Sequence, residues 1–166
     1  VYGLQQKFGS QIRFTNISEP GRTATWAVEQ AAQRMKGKRA DLMIIAFGMN
    51  DASMKLDKEE FLQNIRAIMC TQENKDCEFI LVGSIVPNVE SGLLGEHRAF
   101  AAALRRLYGE SVVTADVGAL QEYFLKDKFY TDMTGNNVNH PNDFVARMYA
   151  MSILNIFEEG KNADQE

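Results

Sequence analysis

The chain has 166 residues, 45% of them hydrophobic and 24% charged, which is enough apolar material for one globular core and excludes a disordered chain. Its formal net charge of -4, with 18 Lys and Arg scattered along the sequence, offers no basic stripe for a phosphate backbone, so nucleic acid is not an expected partner. The longest apolar run, Leu42 to Phe47, is too short to span a bilayer, and no membrane partner is expected.

Val1 to Gly9 read as the last turns of a helix. The chain opens on Val1 rather than Met, so an upstream segment, with any targeting signal on it, is expected to be missing. From there β-rich runs at 11–17, 41–47, 77–85 and 111–117 alternate with helical stretches of ten or more residues, the pattern of a parallel sheet between helical layers. The second and third runs are nearly continuously apolar, as in strands covered on both faces. In the helix after Asp51, Asp57 stands as cap with Glu60 three residues on, and Phe61, Ile65, Ile68 and Met69 line one face. A last helix runs from about Pro141 to Phe157. One domain over residues 1–160 is expected, with a polar tail at 161–166.

Sites in open parallel sheets form outside the carboxyl ends of the strands. Gly21 follows the first run, and its backbone N–H is open to close approach because there is no Cβ. Asn50, after Gly48 at the end of the most apolar run, has an amide able to donate to an oxyanion, and Asp51 beside it could contact substrate. Pro87 and Asn88 follow the third run and could rim a substrate pocket. His140 stands immediately before a helix opening, where a general base could sit. Each of these also has a structural reading as turn or loop chemistry. The second histidine, His97, reads as a solvated side chain on a polar helix start. With two histidines and two cysteines, and no close pair at ligand spacing, neither a metal nor another cofactor is expected. Cys70 and Cys77 flank a short loop. A disulfide there would suit an exported enzyme and two free thiols a cytoplasmic one, so location stays open.

Three stretches, "NISEPGRT" around Gly21, "IIAFGMND" around Asn50 and "NNVNHPND" around His140, occur in the order and at the separations of the later blocks of the SGNH hydrolases, the GDSL-like lipases and acylhydrolases, and the chain resembles that family over almost its whole length. The resemblance implies a flavodoxin-like three-layer α/β/α sandwich. It also implies a serine esterase that needs no cofactor, with Gly21 and Asn50 as oxyanion donors and His140 as base. Two departures stand out. The family's Gly-Asp-Ser block, which carries the nucleophile after the first strand, is absent, and Ser10, Ser18 and Ser53 do not match it. The family's Asp three residues before the histidine is replaced by Asn137, leaving Asp132 and Asp143 as other possible orienters, or a dyad with a backbone carbonyl. In the family's sheet the absent first strand lies between the strand ending near Ile17 and the one ending near Phe47, so its loss should leave facing edges at a cost of several kcal/mol. The chain alone is expected to fold poorly.

The activity implied for the complete protein is ester hydrolysis on a small-molecule or carbohydrate ester, O-deacetylation among the options. The other reading kept open is a noncatalytic relative that binds an acylated or glycan ligand. A flavin or nucleotide binder would need a Gly-rich phosphate loop, which the sequence lacks.

Overall fold

The computed structural model describes residues 1–159; the tail at 161–166 lies outside the described residues. Three strands, β1 (Leu42–Ile45), β2 (Glu78–Val82) and β3 (Val112–Ala115), form one parallel sheet in the order β1-β2-β3 among the described residues. The register sets Ile44 opposite Ile80 and Ile80 opposite Val113. This is the expected α/β sandwich, and alternation along β2 shows why it has three layers. Phe79 and Leu81 point into one core, shared with helices α2 (Ala24–Met35), α4 (Lys58–Cys70) and α5 (Leu94–Arg105). Ile80 and Val82 point into another, shared with α6 (Val117–Phe124) and α7 (Asp143–Glu159). A strand with four successive apolar residues, Phe79 to Val82, thereby feeds two cores at once.

The helices start where side-chain oxygens can take their free N–H groups. Asp57 accepts from Glu60 N at 2.8 Å, as expected for the start of α4, and Thr23 accepts from Trp26 N at 3.3 Å at the start of α2. Phe61, Leu62 and Ile65 of α4 are fully enclosed, worth about 1.5–3 kcal/mol each relative to leaving them in water. The last helix begins two residues later than the sequence suggested. Asn142, not Pro141, is the cap, accepting from Phe144 N and Val145 N at 3.0 and 3.3 Å. At the other end of the chain α1 (Tyr2–Phe8) lies on α7. The Phe8 and Phe157 rings meet edge-on at 5.4 Å, and Gly3 comes so close to Leu154 that an added Cβ would stand 2.9 Å from it.

Two expectations about the sheet are corrected. Residues 11–17 are not a strand: they belong to no helix or strand, and Phe14 is 63% exposed. A strand exists only through its ladder, and β1 pairs with β2 alone, so no neighbour is present to order this run. β1 is also not covered on both faces: Ile45 is closed from solvent, but Ile44, on the opposite face, is 42% exposed. The two cysteines are unbonded, Cys70 exposed and Cys77 buried; burial pushes the Cys77 thiol's pKa up.

Candidate active site

The loop before α2 brings Gly21 to the carboxyl side of the sheet. Gly21 adopts φ +73°, a left-handed conformation that an L side chain resists, with open space where a Cβ would stand. Its N–H makes no hydrogen bond among the described residues. The loop is held from beneath. Arg34 of α2 donates to Ile17 O at 3.1 Å, and Glu19 receives both Arg22 and Arg34. The Arg22 and Arg34 guanidiniums lie over the Trp26 ring at 4.9 and 4.7 Å. Bonding to Arg22, then to Arg34, holds the Glu19 carboxyl below its ordinary pKa.

Asn50 lies on the short helix α3 (Met49–Ser53) directly after β1. The turn that launches it depends on Gly48 at φ +118°. The Asn50 amide donates to Arg22 O at 2.9 Å, which binds the second suspected oxyanion donor to the loop of the first. An amide nitrogen carries two protons, so one remains for a ligand. Asp51 faces the other way. It is 1% exposed, and its oxygens accept from Ala24 N at 2.9 Å and Gly48 N at 3.1 Å. Asp51, suspected of contacting substrate, here ties α2 to the Gly48 turn through both oxygens. Burial raises its pKa, with the Ala24 and Gly48 N–H bonds pulling against it.

His140 is exposed at the end of a loop folded around one residue that sequence reasoning missed. The Asn136 side-chain oxygen accepts from Val138 N, Asn139 N and His140 N at 3.0, 3.0 and 2.9 Å, and Gly135 N closes the loop on His140 O at 2.9 Å. An Asn followed by polar residues is an Asx-turn signal, which could have marked it. Asn137, at φ +55°, turns its carbonyl to the Asn88 amide at 3.3 Å, while Asn88 N donates to Val138 O at 3.1 Å. The Tyr130 hydroxyl bridges the same two segments, 2.8 Å from Val138 O and 3.0 Å from Val86 O. Burial raises its pKa.

None of the three suspected orienters bonds the His140 ring among the described residues. Asp132 accepts from Phe129 N at 3.1 Å, Asp143 stands exposed at the start of α7, and Asn137 holds the loop through its backbone. Pro87 is buried and Asn88 half-buried. Together with Val86, Leu94, Arg98, Glu122, Leu125, Lys126 and Tyr130 they line a cavity of about 290 Å³. Its Asn88–Tyr130 wall is the one bonded to the His140 loop.

The second histidine is corrected outright. His97 is 1% exposed rather than solvated, because α5 turns this position inward against α3. Its Nε2 lies 3.3 Å from the Ser53 hydroxyl, and its Nδ1 lies 3.3 Å from both Ile85 O and the Ser84 hydroxyl. Burial lowers its pKa, against the Ile85 bond.

No protein-family model and no curated protein matches the chain. Solved structures do. Axe2, an acetylxylan esterase from Geobacillus stearothermophilus, superposes with a TM-score of 0.80 at 16% identity over 93% of this chain and 77% of that one. LAE5, an alpha/beta hydrolase enzyme from the metagenome of Lake Arreo, Spain, gives 0.78 at 17% identity over 92% and 76%. The likeness establishes that this chain has the fold of these hydrolases.

Proposed function

We propose that this chain supplies most of a serine esterase of the SGNH type, acting on small acyl groups of polar substrates such as O-acetylated sugars. The observation that carries it is the Asn50–Arg22 hydrogen bond of 2.9 Å. It ties the Asn50 amide, with one proton left over, to the residue after Gly21, whose N–H is unbonded among the described residues, and these are two donors of the kind an oxyanion needs. His140 stands on a separately braced loop and acts as the base. The serine arrives on a strand that seats on the free edge of β1, beside residues 11–17. In the reaction, His140 takes the serine proton as its oxygen attacks the acyl carbonyl, Gly21 and Asn50 hold the oxyanion, the alcohol leaves with a proton from the imidazolium, and water repeats the sequence to release the acid. Support comes from the fold shared with an acetylxylan esterase. Catalytic mutants of that protein replace a serine, an aspartate and a histidine, the last two three positions apart. Asn137 sits at that spacing here and accepts without supplying charge, so His140 works as a dyad or with a backbone carbonyl as orienter.

A second reading has its own observation: among the described residues no serine bonds the His140 ring, as in a noncatalytic relative that binds an acylated glycan. One experiment separates the two. Nitrophenyl acetate turnover and fluorophosphonate labelling are compared for the chain alone and for the chain joined to its upstream coding segment. Turnover and a labelled serine in the longer protein support the esterase; saturable binding of an acetylated oligosaccharide with neither supports the binder.

A further inference from the structure

His97 touches two pieces of structure at once, and one of them carries Asn50. Ser53 lies three residues after Asn50 in α3, on the same side of that short helix. Its hydroxyl meets His97 Nε2 at 3.3 Å. On the ring's far side Nδ1 meets Ile85 O at 3.3 Å and the Ser84 hydroxyl at 3.3 Å, both in the segment leading from β2 to Pro87 and Asn88. A carbonyl oxygen can only accept, so Nδ1 must carry the ring's proton and Nε2 must be bare, free to accept from Ser53. A single neutral tautomer therefore satisfies every contact. We propose that His97 is a positioning residue for the oxyanion site: through Ser53 it fixes α3, and with it the Asn50 amide, against the β2–α5 connection. This rests on the role given to Asn50 above.

The surroundings leave that tautomer undisturbed. On α5 itself Glu96 turns away to Lys58 of α4 at 3.0 Å and Arg98 turns to Glu122 of α6 at 2.6 Å. On α3 the neighbouring charge, Asp51, is tied to Ala24 N and Gly48 N. From α7 the Tyr149 hydroxyl accepts the Ile85 N–H at 3.2 Å. In acid the ring gains a proton on Nε2, and the Ser53 hydroxyl, which had donated to that nitrogen, must turn and accept from it. Because burial lowers the pKa of His97, its contribution to stability is complete above the ordinary histidine value and is lost as pH falls through the lower folded value.

The test is nitrogen NMR on the whole chain, with the Asn50 side-chain amide identified by its loss in Asn50→Ala. The expected spectrum has His97 protonated on Nδ1 only, and the Asn50 amide moves on acidification with the same midpoint as His97. Ser53→Ala abolishes that shared midpoint. His97→Gln, which keeps an acceptor near the Nε2 position, leaves the Asn50 resonance in place, whereas His97→Asn, which keeps only the Nδ1 donor, shifts it. A ring protonated on Nε2, or an Asn50 resonance indifferent to Ser53→Ala, overturns the proposal. Should His97→Asn fail to fold, Ser53→Ala decides alone, since it removes one oxygen from the contact. An absence of esterase activity would count against the role of Asn50 and leave these resonances as they are.

Discussion

The two flanks of β2 are built to different standards. Toward β3, side chains meet between the sheet, α6 and α7, and Ile80, Val82, Met133, Val145 and Met148 are all closed from solvent. Toward β1 the sheet ends: Ile44 is 42% exposed, and residues 11–17 run alongside no strand. The His140 loop draws its support from the closed side, through Asn88 and Tyr130. Gly21 and Asn50, proposed above as oxyanion donors, sit at the open one. The contrast teaches that a site assembled from several strand ends can have one half backed by a closed core and the other standing at a sheet edge.

The sharpest way to break this comparison uses one residue type at two directly opposed positions. Ile80→Ala empties a closed core and should cost about 2–5 kcal/mol in denaturant unfolding. Ile44→Ala, across the ladder from it, should cost about 1 kcal/mol or less, because water already reaches the side chain. Equal losses would mean that β1 is as well covered as β2. Next in size is Asn50→Ala in an active, complete protein. Loss of one oxyanion donor should cut kcat about a hundredfold or more, and a drop below threefold would remove Asn50 from the chemistry.

Asp51 probes the join between the flanks. Removing its carboxylate in Asp51→Ala strands two buried N–H groups, those of Ala24 and Gly48, and should cost about 2–3 kcal/mol by thermal unfolding. A cost near zero would show that the Gly48 turn stands without it. Hydrogen exchange sharpens the same contrast. Amides of β2 should exchange only on global opening, while those of β1 that face the empty edge exchange by local fluctuation. Joining the upstream segment should protect the latter and leave β2 unchanged.

Strands β1 and β2 were legible in the sequence because a nearly continuous apolar run admits few other structures, and α4 because its cap and apolar face agree. Residues 11–17 misled for a physical reason: β propensity describes a segment's fitness to pair, and pairing needs a neighbour the sequence does not show. The site was legible in part. As candidates, Gly21, Asn50 and His140 could be named from turn chemistry and resemblance, and in the fold Asn50 bonds Arg22, the residue after Gly21. Asp51 could not be placed, since a carboxylate after a strand reads the same whether it faces ligand or backbone. His97 was misjudged because its neighbours Glu96 and Arg98 are charged. On a helix, adjacent residues point 100° apart, so charged neighbours do not make a position polar.

Asn136 gives the smallest expected effect and the one that best separates positioning from stability. Its side-chain oxygen gathers three backbone N–H groups, yet the loop is exposed, so in Asn136→Ala water can take over each bond, and the net loss should be about 1 kcal/mol. The fold survives that. The imidazole's aim need not, because His140 N is one of the three groups released and the ring itself has no bond to hold it among the described residues. In an active protein kcat should fall by roughly tenfold with KM unchanged, while Asn136→Asp, which keeps an acceptor at the same place, should restore most of it. A kcat equal to the parent's would show that Asn88 and Tyr130 alone hold the histidine in place, and that the support of the closed flank reaches all the way to His140, whereas a full loss of stability would show that Asn136 holds the fold and not the ring alone.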